Sequence, residues 1–391
     1  MPLCCIMIDT LGKFALVRPS NAVTQHLWES ILGRNRLLLF VLLLSTGCLA
    51  QRLQGGKIHS YYIAADEVSW DYTPGGRNLA GLPRLESSDE GAGNRHRVYP
   101  KAVYHEYTDD TFKTEKPRPP EWQHLGILGP LIRAEVGDTI KVFFKNHTKH
   151  FCTMHPHGLA YDKSSEGASY NDGTSGADKA DDAVPPGGSH TYTWTVPERA
   201  GPGPGDPSSI LWMYHSHFNE PKDVNTGLIG PIIISARGST KPDGTPKDVD
   251  REFMAAFAVF DETDSWYFRP DPKWPRSEVS MRLRDPVLRE LNTAYSINGL
   301  LDGNLPGLTM KKGERVRWYL FASANEDDVH TVHWHGQTAV VMHMRTDAVP
   351  LTPMSMAVAD MVPDKVGTWL LHCHVNDHLK GGMVALFTVT P

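Results

Sequence analysis

Two segments of this 391-residue chain carry the same pattern. "GPLIRAEVGDTIKVFFKN" (129–146) and "PGLTMKKGERVRWYLFAS" (306–323) each read as a strand, a turn on a glycine followed by an acid, and a strand of β-branched and aromatic residues. Each is followed by a histidine pair closed by glycine, HPHG from His155 and HWHG from His333. Each half then ends on a second pair, YHSH with His215 and His217, or HCH with His372 and His374. A chain written this way folds as two copies of one unit. Both copies are rich in Gly and Pro turns and nearly free of helical periodicity, so the expected fold class is all-β, two β-sandwich domains. The length permits a core in each. Domain one is expected over 57–237, a polar, turn-rich linker "GSTKPDGTPKDVD" over 238–250, and domain two over 251–391.

The first fifty residues differ from the rest. Arg34 and Arg36 precede the apolar run 37–44, and small residues ending at Ala50 follow it, which predicts a signal peptide over 1–50 with an extended basic N-terminus. The chain is therefore expected to be secreted, with an uncleaved N-terminal membrane anchor as the alternative. The sequence ends eight residues after Met383, so no C-terminal anchor is expected. Of five cysteines, Cys152 and Cys373 would remain after cleavage, so stability is expected to come from the core and bound metals, without a disulfide framework. Asn146-His147-Thr148 is a glycosylation sequon with Asn146 as acceptor. Acidic and basic residues are mixed and the net charge is −6, which leaves no footprint for nucleic acid.

The stretch "TWLLHCHVNDHLKGGM" (368–383) sets Cys373 between two histidines and adds His378 and Met383. With one more histidine, these form the His₂Cys set with a weak Met that makes a blue-copper electron-transfer site. His330, in "DVHTVHWHG", supplies that histidine. In a strand, His372 and His374 point to the face opposite Cys373, where they would serve a second metal centre. An electron reaching the Cys373 sulfur could leave through either neighbour, which makes Cys373, His372 and His374 the candidate catalytic relay. The plain alternative is a buried cysteine beside surface histidines. Four His-x-His pairs weigh against it, because eight imidazoles presented in adjacent pairs can hold three copper ions. Met342, Met344, Met354, Met356 and Met361 lie between the last two pairs; their alternation predicts core filling, with a cuprous-ion path as the alternative.

These residues resemble the multicopper oxidases, and within that family the ceruloplasmin and hephaestin group. The resemblance runs from residue 57 to the end, through "YHSHFNEPKDVNTGLIGPIII", "FDETDSW", "GNLPGLTM" and "WLLHCHVNDHLKGGM". It implies Greek-key cupredoxin sandwiches and four coppers per functional unit. Type 1 copper would sit on His330, Cys373, His378 and Met383, and type 2 copper on His155 and His333. The type 3 pair would take His157, His215, His217, His335, His372 and His374. Domain one has no cysteine between His215 and His217 and is expected to lack a type 1 copper. The implied reaction takes one electron from each of four donor molecules and reduces dioxygen to two waters, with Fe(II) as the leading donor. A phenol or amine, Cu(I), a copper nitrite reductase, a copper store and a non-catalytic copper-binding relative are the alternatives.

The loop 164–188 resembles the calcium loop of ceruloplasmin-like proteins and clotting cofactors, which would use Asp178, Asp181 and Asp182; a solvated acidic loop is the other reading. An iron site would use Glu262 and Asp377, joined by Glu326 from an adjacent chain, although Tyr267 stands where the ferroxidases carry a histidine. Otherwise these are ordinary surface acids. Two-domain relatives place the copper cluster between subunits. A homotrimer is therefore expected, with each cluster shared by domain one of one chain and domain two of the next.

Overall fold

The structure is a computed structural model that describes residues 56–83, 98–323 and 329–391 and, in a separate unit, the backbone pairing of Met7–Ile8 with Phe14–Ala15. The apolar run 37–44, Ala50 and Glu326 lie outside the described residues.

Domain one opens with β1 (Ile58–Asp71), which pairs antiparallel with β2 (Val98–Tyr107) and parallel with β4 (Thr139–Asn146). The second sheet pairs β3 (Ile132–Glu135), β8 (Ile229–Ser235), β7 (Ser209–His215) and the short β5 (His155–Pro156), in that order. β6 (Ser189–Thr195) closes the first sheet beside β4. Domain two repeats the plan. β9 (Arg251–Asp261) pairs antiparallel with β10 (Thr293–Ile297) and parallel with β12 (Val316–Ser323). β11 (Thr309–Lys311) pairs parallel with the last strand. The repeat read from sequence is thus a repeat of topology, and Gly137 and Gly313, at φ +96 and +84, make the same left-handed turn in each copy.

β4 alternates buried and half-buried residues, with Ile140, Val142 and Phe144 pointing inward, as a strand with one covered face must. β12 is buried along its whole length. The difference has a cause. A third core lies between the domains, where Tyr72, Met213 and Ile233 of domain one meet Met254, Phe260, Tyr319 and Phe321 of domain two. Strands at this seam are covered on both sides and therefore read as continuous apolar runs. Ser209 and Tyr319 share a hydrogen bond of 2.7 Å across the seam, and Arg133 pairs with Glu252 at 2.7 Å.

The rest of domain two is a chain of edges and returns. β13 (His330–Trp334) and β16 (Ala348–Leu351) pair antiparallel, β14 (Ala339–Val341) and β15 (Met344–Thr346) form a hairpin, and β17 (Met356–Met361) bridges β12 and β14. β18 (Gly367–Cys373) and β19 (Val384–Thr390) finish the second sheet. Among the described residues, no helix is long and apolar enough to cross a membrane.

Two sequence expectations fail here. Met361 does fill the core, but Met342 and Met344 are 74% and 67% exposed, because the β14–β15 hairpin turns outward at a sheet edge. Asn146 is fully buried: its Nδ2 donates to the carbonyls of His150 and Val184, and its Oδ1 accepts from Thr148 N and Oγ1. An acceptor asparagine needs a solvent-facing amide nitrogen, so the Asn-His-Thr sequence is a local turn motif in the folded chain and not a glycan site.

Candidate metal centres

β18 and β13 run side by side with Val332 opposite Cys373 and His333 opposite His372. Strand alternation then settles the faces, with Cys373 and Val332 turned into the domain core and His372 and His333 turned out. His330 lies two residues before Val332, on the cysteine side. After Cys373 the chain makes one short helix, α1 (Asn376–Gly381), capped by Gly382 at φ +107, and this return brings His378 back to the thiol. Cys373 Sγ lies 3.8 Å from His330 Nδ1 and 3.5 Å from His378 Nδ1, and accepts from Thr331 N at 3.5 Å. Cys373, Met383, His330 and His378 are 0, 0, 2 and 4% exposed. Two donors each about 2.0–2.3 Å from one metal sit about 3–4 Å apart, so this pocket has the span of a metal site. Burial raises the Cys373 thiol, but hydrogen bonding with His330 and His378 and from nearby backbone outweighs it and holds the thiol at about 6. That favours the thiolate, the form that binds metal.

On the outer face, His335 Nε2 and His372 Nε2 approach to 3.1 Å, and the His333 ring lies 5.2 and 5.4 Å from those of His372 and His374. Domain one holds a matching group. His157 Nε2 and His215 Nε2 are 3.0 Å apart, and the His155 ring is 5.2 Å from that of His217. Nδ1 of four of these rings faces a backbone carbonyl: His155 with Glu166, His215 with Ser216, His333 with Asp347 and His372 with Cys373. An Nδ1–H held this way leaves Nε2 as the free ligand atom. Burial pushes His157 and His372 down to about 4, with neighbouring histidines adding to the shift, and lowers His155, His215 and His335 in the same sense. Neutral imidazoles gathered with their lone pairs converging are what a metal requires. The glycine that closes each first pair is a packing necessity, since a Cβ on Gly158 would meet Trp212 at 2.2 Å and one on Gly336 would meet Trp369 at 2.5 Å. Among the described residues, no ring of one histidine group stacks on a ring of the other.

Of the candidate iron ligands, Glu262 and Asp377 fall within the described residues. Glu262 is 1% exposed and bound at the domain seam, pairing with Lys101 Nζ at 2.5 Å and accepting from the Tyr72 hydroxyl. Lys101 is itself fully buried and also donates to the Asn225 carbonyl at 2.7 Å. Both Glu262 contacts fall on Oε1, so a buried ammonium already sits against the Glu262 carboxylate. Tyr267 belongs to the same seam and donates to Glu67 at 3.0 Å. Asp377 is exposed on the first turn of α1.

In the 164–188 loop, Asp181 is fully buried; its Oδ2 accepts from Gly167 N, and its Oδ1 has no hydrogen-bond partner. Asp182 is buried and pairs with Lys179 at 2.6 Å, whereas Asp178 is exposed and stands apart. Asp172, not anticipated from sequence, joins the cluster through Lys163 and Lys179, each at 3.3 Å. Its position six residues before Asp178 carried no periodic signal that would have singled it out.

Profiles of multicopper oxidase domains match residues 124–239 and 280–391. Hephaestin of Rattus norvegicus is 42% identical over 344 residues, which cover 85% of this chain. A human protein named ferroxidase HEPHL1 is 41% identical over 346 residues, 86% of this chain. The chain spans 30% of the length of each of these relatives. A multicopper oxidase crystal structure matches with a TM-score of 0.55 at 19% identity, covering 85% of this chain and 89% of that one, which establishes the cupredoxin-like β-sandwich fold. The chain belongs to the multicopper oxidase family.

Proposed function

We propose that this chain is a copper oxidase that passes single electrons from a small reductant to dioxygen. The observation that carries the reading is the pairing on β18 of a buried Cys373, set among His330, His378 and Met383, with an outward His372 one residue away. The donor sets fit copper: thiolate, imidazole and thioether on the inner face, imidazoles alone on the outer. Type 1 copper would be held by His330, Cys373, His378 and Met383. Type 2 would be held by His155 and His333, and type 3 by His157, His215, His217, His335, His372 and His374. When bound, copper supplies one-electron transfer and the four-electron reduction of dioxygen to two waters.

The chain's own residues do the rest. The domain-two core excludes water from Cys373, and the backbone carbonyls at His155, His215, His333 and His372 fix which imidazole nitrogen is offered. His372 and His374 are joined to Cys373 through the backbone, so an electron has a covalent route from one face of β18 to the other. Overall, four donors are each oxidised by one electron, and one dioxygen and four protons become two waters.

Each chain holds two separate four-histidine groups. A homotrimer in which domain one of each chain meets domain two of its neighbour would complete three clusters. Fe(II) is the first reductant to test, on likeness to the human relative named ferroxidase. Its docking would draw on the exposed Asp377, since Glu262 is bound to Lys101. The buried Asp181 Oδ1 supports calcium in the 164–188 loop, with Asp172 and Asp182 beside it. Secretion accords with the N-terminal sequence.

The test is copper-loaded protein assayed for colour and oxygen uptake. The wild type should be blue and take up one dioxygen for every four Fe(II). Cys373→Ser should lose the colour and the turnover while keeping its β-rich circular dichroism. A colourless wild type holding its full copper would end this reading.

A further inference from the structure

Two glycines end α1, and they are there for different reasons. Gly382 has φ +107, the left-handed conformation that caps the helix. Gly381 is still inside the helix and outside the left-handed region, so its backbone would accept an alanine. What it lacks is room. A Cβ there would meet the Tyr295 ring at 2.3 Å.

Tyr295 stands on β10, opposite Val259 of β9. Its ring stacks on that of His378, with centroids 5.2 Å apart and planes 29° from each other. His378 and Gly381 are three residues apart, so they share one face of α1. One tyrosine ring therefore packs against both ends of that face. Its hydroxyl donates to Glu290 Oε2 at 3.0 Å, on the short helix Pro286–Leu291, which Arg289 ties to β9 by donating to Asp261 at 2.6 Å. The ring is thus held by a bond at its outer end and by the domain-two core along its body.

Where α1 rests decides the position of two of the four candidate type 1 donors, His378 within it and Met383 just past its end. Met383 N donates to the His378 carbonyl at 3.0 Å, and Cys373 N to the Met383 carbonyl at 3.2 Å, so the helix and both donors move together relative to the Cys373 sulfur. We propose that Tyr295 is a positioning residue for this centre, fixing α1, and through it His378 and Met383, against Cys373; the proposal rests on the copper reading above. A stacked aromatic pair has a preferred offset and separation, which an aliphatic side chain of similar size does not impose. The half-buried ring also covers the buried His378. The potential of a thiolate copper site depends on its axial ligand and on how apolar its surroundings are, so both effects of Tyr295 reach the metal through His378 and Met383.

Copper titration followed by the blue absorbance, with the reduction potential measured on the loaded protein, tests this. Tyr295→Leu should weaken copper binding at this centre by about tenfold or more, and should lower the potential because water then reaches His378 and favours the doubly charged ion. Tyr295→Phe keeps the ring and should restore the wild-type affinity and potential. Gly381→Ala leaves the tyrosine in place in the sequence but pushes its ring off His378, and it should reproduce the Leu variant. Alanine ordinarily strengthens a helix, so a weakened copper site in that variant reports the lost stack and not a lost helix. If Gly381→Ala folds and keeps the wild-type affinity, spectrum and potential, the positioning role is overturned and the copper reading stands. A Phe variant as weak as the Leu variant overturns it as well. If the wild type takes up copper without turning blue, the copper reading falls and the role of Tyr295 falls with it.

Discussion

Single residues at the seam illustrate what a buried charge does in this protein. Lys101 and Glu262 come from different domains and are both essentially unexposed, so each depends on the other for its solvation. Removing one partner strands a charge in the interior, at a cost of about 3–5 kcal/mol, whereas replacing both with apolar residues is often neutral. Lys101→Met should therefore lower the urea midpoint strongly, and Lys101→Met/Glu262→Leu should recover most of the loss. A double variant as unstable as the single one would show that the pair is not the relevant unit.

The histidines set a pH dependence of their own. His157 and His372 sit at about 4 in the folded chain against an ordinary 6.5. Between those values the unfolded chain binds more protons, so stability rises with pH across the window and is lost as pH falls through it. Metal-free protein should show a falling melting temperature from pH 7 to pH 4, and His157→Ala/His372→Ala should flatten that slope.

At the scale of elements, the local period was legible and the coverage was not. Alternation around Cys373 was enough to predict that it faces away from His372, because a strand's two faces follow from residue number alone. The HxHG pairs stood out in the sequence as candidate ligands, but the reason for their glycines appears only once Trp212 and Trp369 are packed against them. Gly158→Ala, at φ +74 and 2.2 Å from Trp212, should destabilise domain one by about 1–3 kcal/mol through overpacking and lower copper retention in the His155 group. An unchanged melting temperature would mean that the tryptophan moves freely aside. Asn146 and Glu262 looked like surface residues in sequence, since their burial depends on segments far along the chain: Val184 for one, Lys101 for the other. The outward hairpin at Met342 was hidden in the same way, because strand alternation cannot tell a core edge from an exposed one.

For the whole molecule, the proposed trimer means that one chain carries two half-sites and that a neighbour completes each. Two variants isolate the halves: His215→Ala/His217→Ala disables the domain-one group, and His333→Ala/His335→Ala disables the domain-two group. Each variant alone should be inactive while keeping the blue colour, because Cys373, His330, His378 and Met383 are intact. Co-expressed in equal amounts, they should form mixed trimers in which about a quarter of the interfaces join two intact halves. Oxygen uptake should then recover to about a quarter of the wild-type value. Co-expressed chains that assemble together yet show no recovered oxygen uptake would contradict the account.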